Sequence, residues 1–278
     1  MSAAGGRVSV GGVEGVLLAR SERGDKLHRV VLVNLDDRAV VVKIYGRKRA
    51  RLATAVRGFG HRFLVGKSGL GARERRDTEA RLLALWRAHG FAVPELLALD
   101  LPEPIAEPHL LLEWVEGPAV DARLRDGSDA ELERALGRFA AEWSRRHALA
   151  EARAEPGLVH AHPSFAHLVE RAGEFVTLDF EYAYTDRSRV AQLVDVEIAG
   201  FVASLQRAAG VRAERLLHAL VAGYPERGRL ERAARLGALG RFRALEGIAR
   251  ALPGLRGRGP RKLRDSIAAL GAALASGR

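Results

Sequence analysis

The sequence predicts an α+β chain in which residues 1–115 form a five-stranded antiparallel lobe with one helix and residues 116–278 form a mostly helical lobe. Two observations carry this expectation. β-branched runs separated by turn-rich segments crowd the first part, and apolar residues recur at helical spacing through the second, with the change near residue 115. A third sets the scale: 278 residues with 47% hydrophobic content can bury a full core as two lobes.

The elements follow in order. VEGVLLA (13–19), HRVVLVN (28–34) and AVVVKIY (39–45) read as a three-stranded meander, punctuated by ERGD and LDDR. A helix over 73–89 carries Leu82, Leu83, Leu85 and Trp86, and Gly90 stops it. PELLALD (94–100) and HLLLEWV (109–115) supply the fourth and fifth strands and lead into Glu116-Gly117-Pro118. The second lobe opens with a helix over 128–149, whose Leu132, Leu136, Phe139, Ala140 and Trp143 share a face. Ser128 followed by Glu131 is the pattern of a capping box. Further helices are expected over 190–208, 212–223, 228–251 and 261–276, with PGLRGRGPRK (253–262) a solvated loop. No internal repeat is present.

Composition excludes several chemistries. With no cysteine there is no disulfide, thiolate zinc site or cysteine nucleophile, and any metal must be held by oxygen or imidazole. The start MSAAGGRVSV lacks the charged and apolar regions of a signal peptide, and no stretch reaches the roughly 20 apolar residues of a membrane-spanning helix. A soluble cytoplasmic protein is therefore expected. The net charge of +11 and pI near 10.8 suit nucleic acid, an anionic membrane surface or an anionic substrate, and do not choose among them. Lys43 is one of few lysines among 45 basic residues, and the arginine excess is what a GC-rich genome produces unaided. No basic strand interleaved with aromatics is present, which places nucleic acid last among the partners.

The segment LVHAHPSFAHLVERAGEFVTLDFE (158–181) concentrates the candidate chemistry. It holds His160, His162 and His167, then an apolar run ending in Asp179-Phe180-Glu181. Upstream, Lys43 interrupts the apolar run VVVKIY, and Glu79 lies on the helix that follows. The order lysine, helical glutamate, polar loop, strand-end aspartate resembles the protein-kinase-like superfamily across roughly residues 10–210. The style is closest to bacterial lipopolysaccharide core (Kdo and heptose) kinases and aminoglycoside-type phosphotransferases. Arg146-His147-Ala148-Leu149 is similar to the helix end that precedes the catalytic loop of the latter.

The resemblance implies a bilobal protein-kinase-like fold and an ATP-dependent phosphotransferase. Lys43 would contact the ATP phosphates, with Glu79 as its ion-pair partner and Glu74 as the alternative. LLLEWVEG (110–117) would be the hinge, its backbone at Glu113 and Val115 meeting adenine. Asp179 would hold Mg2+. His160 falls on the loop histidine, His162 on the catalytic aspartate position and His167 on the asparagine position, beside the cofactor. A histidine in the asparagine position also occurs in the Kdo-kinase branch, where the loop aspartate is retained. An imidazole at position 162 can orient or accept a proton, given its ordinary pKa of about 6.5. Magnesium prefers oxygen, so an imidazole at position 167 is a poor ligand for it. Two readings stay open at the loop: altered catalysis on a hydroxyl acceptor, and a pseudokinase that binds nucleotide or a partner without turnover.

The connection over 46–72 is rich in arginine and lysine, including Arg47, Lys48, Arg49, Arg51, Arg57, Arg62 and Lys67. Such an insertion would hold an anionic glycolipid or the inner membrane surface, at ~1 kcal/mol per basic residue. The alternative is a solvated, arginine-biased connection. GFGHRFLVGKSG (58–69) suggests a phosphate-binding P-loop but fails on spacing, since five residues separate Gly60 from Gly66 and no apolar strand precedes it. The first two strands are joined through a single Gly24, fewer glycines than a phosphate-covering loop carries.

Overall fold

The computed structural model describes residues 5–21, 28–46, 67–68, 71–235 and 259–276. In chain order the strands are β1 (Arg7–Val10), β2 (Val13–Ser21), β3 (His28–Leu35), β4 (Arg38–Tyr45), β5 (Lys67–Ser68), β6 (His109–Glu113), β7 (Leu168–Arg171), β8 (Glu174–Thr177) and β9 (Ala183–Tyr184). The helices are α1 (Ala72–Ala88), α2 (Val120–Asp126), α3 (Asp129–Arg153), α4 (Val190–Ala209), α5 (Ala213–Ala222), α6 (Arg227–Ala234) and α7 (Gly259–Ser276). The chain forms two compact units, Met1–Glu116 with Val176–Asp186, and Gly117–Phe175 with Arg187–Arg278.

The first unit is built on a five-stranded antiparallel sheet of order β1-β2-β3-β4-β6. Two tight hairpins set its register. Gly11 and Gly12 join β1 to β2 with φ of 58° and 77°, and Asp36 and Asp37 join β3 to β4 with φ of 50° and 60°. Two consecutive left-handed residues give the twist that matches right-handed strands, and glycine and aspartate are among the residues that tolerate it. On one face Val31, Val33, Val40, Val42, Ile44 and Leu111 build the apolar core. The opposite face of β4, carrying Val41, Lys43 and Tyr45 by alternation, meets α1, which buries Leu82, Leu83 and Trp86.

The membership of the sheet differs from the sequence expectation. Residues 94–100 are not a strand: they touch β6 through a bridge at Leu96 and a bond from the Leu97 N–H to Leu111 O at 2.8 Å. Pro94 brings no donor to a ladder, and only Leu97 of the three leucines is buried. The outer place in the sheet goes instead to β1, a four-residue segment whose R-V-S-V alternation is too short to stand out.

The strip Val176–Asp186 belongs to the first unit, whereas a division at residue 115 assigns it to the helical part. Local contacts explain this. The Thr177 N–H donates to Ala92 O at 3.0 Å, Phe180 meets the Trp86 ring edge-on at 4.7 Å, and β9 pairs antiparallel with β5.

Among its described residues the second unit is helical apart from β7 and the first residues of β8. Its axis is α4, which buries Val190, Leu193, Val194, Ile198, Phe201, Val202 and Leu205. Phe139 and Trp143 of α3 stack at 5.5 Å, and Phe139, Phe165 and Phe201 meet edge-on at 5.2–5.3 Å. Such pairs add to area burial by about 1 kcal/mol each. The helix α2 was not foreseen. The capping box is not formed either, because the Ser128 hydroxyl donates to Glu131 Oε2 at 2.8 Å instead of accepting from the backbone. The described part of the 228–251 helix ends at Ala234, and α7 starts two residues earlier than its apolar pattern. The loop around Gly24, most of the basic connection 46–72 and most of 253–262 lie outside the described residues. No helix among the described residues is long and apolar enough to cross a membrane.

Candidate functional site

Three spacings bring the charged residues of the first unit together. Alternation on β4 puts Lys43 and Tyr45 on one face, helical i,i+4 spacing puts Arg75 and Glu79 on one face of α1, and Asp179 and Glu181 stand two apart on the strip after β8. Lys43 Nζ donates to Glu79 Oε1 at 2.9 Å and Oε2 at 2.7 Å, and to Asp179 Oδ1 at 3.1 Å. It also lies 3.5 Å from Glu181 Oε1. Tyr45 donates its hydroxyl to Glu79 Oε2 at 2.6 Å. Its ring has the Lys43 ammonium 5.6 Å and the Arg75 guanidinium 5.9 Å from its centre, within cation–π range.

Arg75 closes the other side. It is fully buried, donating to Glu181 Oε2 at 3.2 Å and to the carbonyls of Gly46 at 2.7 Å and Gly71 at 3.4 Å. The His28 imidazole lies 2.6 Å from the same guanidinium and 3.4 Å from Glu181 Oε2. Glu74, the alternative partner for Lys43, is used elsewhere: its carboxylate accepts from the Gly71 N–H at 3.4 Å at the start of α1.

Burial makes these charges matter to one another. Lys43, Glu79 and Glu181 are buried, while the Asp179 side chain keeps 28% exposure. Desolvation alone would lower the Lys43 pKa, but the facing Glu79, Asp179, Tyr45 and Glu181 outweigh it and hold the ammonium well above its ordinary value. Burial pushes Glu79 upward, against the pull of Lys43 and with the repulsion of Asp179. Burial likewise raises Tyr45, with Glu79 adding to it. Glu79, Asp179 and Glu181 place carboxylate oxygens within 4.8 Å of one another, an all-oxygen set that suits a hard cation. Asp179 sits at φ 66°, a left-handed conformation that aspartate adopts more readily than most residues and that clusters at functional sites.

No family model matches the sequence, and no curated protein matches it. The functional reading therefore rests on geometry and on the residue pattern.

The three loop histidines lie in the second unit, held from α4. Glu197, fully buried on α4, accepts from the His160 backbone N–H at 2.9 Å, from Trp143 Nε1 at 3.2 Å and from His147 Nε2 at 3.3 Å, and forms a two-point pair with Arg146. His147 Nδ1 in turn faces the Tyr224 hydroxyl at 2.8 Å. Burial lowers the His147 pKa to about 4 despite the Glu197 carboxylate, so the ring is neutral near pH 7. Burial would raise Glu197, but Arg146 and His147 hold it far below the carboxylate range. The Phe165 N–H donates to Ser204 Oγ at 3.0 Å, and His167 Nδ1 bonds the His162 carbonyl at 2.9 Å. His160 is buried, and His162 and His167 are partly exposed.

At the expected hinge, Val115 is buried and the Glu113 N–H is already committed to Glu95 O at 2.9 Å. The Glu113 carboxylate accepts from the Glu95 N–H at 3.1 Å, so this residue ties β6 to the segment before it. Sequence reasoning missed Tyr45, Arg75 and Glu197, and it gave Glu181 only as the last residue of the Asp179-Phe180-Glu181 run. Tyr45 and Arg75 stand two and four positions from a residue it had selected, on the same face; Glu197 carries no such signal.

Proposed function

We propose that the chain is an ATP-dependent phosphotransferase of bilobal protein-kinase-like fold, acting on a hydroxyl of a lipopolysaccharide-type glycolipid or another small acceptor. The observation that carries this reading is the buried Lys43 ammonium, clamped by Glu79 from α1 and by Asp179 from the strip after β8. A lysine fixed by a helical carboxylate is what phosphoryl transfer requires, since its catalysis is mostly positioning and charge stabilisation.

In this reading Lys43 takes the ATP phosphates, Glu79 and Tyr45 orient it, and the backbone at Glu113 and Val115 meets adenine. Asp179, the most exposed of the three carboxylates, holds Mg2+, which when bound neutralises charge on the phosphate oxygens. His160 is the buried anchor of the loop, and the His162 imidazole orients the acceptor hydroxyl and takes its proton. The bond from the γ-phosphorus to the ADP oxygen breaks as the bond to the acceptor oxygen forms. Acceptor capture at the inner membrane surface belongs to the same reading, as does a cytoplasmic location.

One observation favours the pseudokinase alternative. His167 puts an imidazole at the asparagine position, its Nδ1 bonded to the His162 carbonyl, and Mg2+ prefers oxygen to the remaining ring nitrogen.

Calorimetric titration of the full chain with ATP, with and without Mg2+, tests the nucleotide site. The expected result is Mg2+-dependent binding that disappears in Lys43→Ala and Asp179→Ala; no binding at millimolar ATP would sink the enzyme and leave a pseudokinase that binds a partner. Slow ATP hydrolysis by the wild type that is lost in His162→Ala supports the enzyme, whereas tight binding without turnover supports the pseudokinase.

A further inference from the structure

We infer that Glu181 is an internal anion that occupies the cations meant for phosphate, so that nucleotide phosphates must displace it from Lys43 and Arg75. The inference rests on the proposed nucleotide site and adds a competitor and a second cation to it.

The geometry is that of an anion in a two-cation cradle. One Glu181 oxygen lies 3.5 Å from Lys43 Nζ and the other accepts from Arg75 at 3.2 Å, the two cations coming from β4 and α1. Arginine and lysine set side by side are a common phosphate-binding pair, and a carboxylate that spans them imitates two phosphate oxygens.

The cluster does not depend on Glu181 for its other bonds. Lys43 keeps both oxygens of Glu79, which Tyr45 also supports, and Arg75 keeps the carbonyls of Gly46 and Gly71. Three carboxylates converge on one ammonium, more than neutralising Lys43 demands. Glu79 belongs to a helix and is fixed by three bonds to two donors. Glu181 is two residues beyond Asp179, whose left-handed backbone sets the direction of the strip. Its contacts with the two cations, and its approach to His28 Nε2 at 3.4 Å, are the interactions that a more highly charged anion arriving at the same cations would replace.

The test is calorimetry of the full chain with ATP and, separately, adenosine, both in the presence of Mg2+, comparing wild type with Glu181→Gln. The amide keeps the shape and an acceptor for Arg75 but removes the charge. ATP affinity should rise about tenfold, within the usual range of coupling between two ligands of one site, while adenosine affinity stays unchanged. If Glu181→Gln loses its cooperative unfolding transition, Glu181→Asp replaces it: the shorter side chain cannot span both cations, and a severalfold gain confined to ATP is expected. Glu103→Gln, which removes a charge from the same unit beside the Gly12 turn, should give no gain. An equal gain there would overturn the inference, because net charge would then account for it. Wild type that binds ATP and a Glu181→Gln variant that binds it equally or more weakly would overturn this inference and leave the nucleotide site standing. Failure of both proteins to bind ATP at millimolar concentration would overturn the inference together with the nucleotide reading.

Discussion

Tyr45 donates its hydroxyl to Glu79 Oε2 at 2.6 Å, so the carboxylate that receives the Lys43 ammonium is held from two positions of one strand face. Both side chains are sealed from solvent. Removing the donor leaves a buried, charged acceptor short of one bond, and bonds to charged groups contribute about 1.5–3 kcal/mol. Tyr45→Phe should lower the unfolding free energy in urea by about 2 kcal/mol, at nearly constant buried volume. A loss too small to resolve would mean that Lys43 alone satisfies Glu79.

Lys43→Met should be costly in a pH-dependent way. Without the ammonium, Glu79, Asp179 and Glu181 face each other with Arg75 as the remaining close cation, and breaking a buried pair by removing one partner costs about 3–5 kcal/mol. Glu79, which burial already pushes upward, would lose the opposing pull of Lys43 and rise further, so the native state would bind a proton that the unfolded state does not. Stability of the variant should therefore rise as pH falls from 8 towards 5, more steeply than that of the wild type, and guanidinium unfolding at both pH values reads it. A deficit that does not change with pH would show that lost packing, and not charge, dominates.

How much of this was legible follows from spacing. Lys43 stood out because a lysine interrupts an apolar β run, and Tyr45 was equally visible two residues on, had the alternation been followed. Glu79 could be chosen over Glu74 only once the start of α1 was known, since Glu74 is consumed there by the Gly71 N–H. Arg75 reads as one more surface arginine in R-E-R-R, and nothing local marks it as fully buried. The misplaced strand at 94–100 has the same root: leucine-rich segments of seven residues fit a strand and an extended connection equally well, and the partner settles the matter. Glu197 was illegible because its work is to collect donors from residues 37 to 54 positions away.

The buried histidine of α3 gives the second unit a defined acid response. His147 titrates at about 4 when folded and near 6.5 when unfolded, so between these values the unfolded chain binds a proton that the native one refuses. Stability from this group is present above pH 6.5 and falls as pH drops towards 4, by about 1.4 kcal/mol per pH unit. Asp195 works in the opposite direction. Burial lifts it to about 6 against the pull of Arg232, so its contribution is present at low pH and lost as pH rises through 6. The two offset each other in the wild type and separate in variants. His147→Gln should turn the offset profile into a gain on acidification and Asp195→Asn should expose a loss, in denaturant unfolding measured from pH 4 to 7. Parallel curves for all three proteins would contradict the assignment.

Gly200 on α4 is the support under the histidine loop. A Cβ added there would lie 2.3 Å from Pro163 Cγ, and Pro163 follows His162 directly. Replacing a helical glycine with alanine ordinarily stabilises by up to about 1 kcal/mol. Here the overlap wins, because a proline ring cannot rotate away and overpacking costs about 1–3 kcal/mol. Gly200→Ala should therefore be destabilised by about 1–2 kcal/mol, and it should shift the NMR signals of the His162 ring while leaving His147, held by Glu197 and Tyr224, in place. Shortening Pro163 to alanine in the same chain removes the clash, so the double variant should recover the loss and reveal the helical gain. A double-mutant cycle with zero coupling would mean that Pro163 does not rest on Gly200.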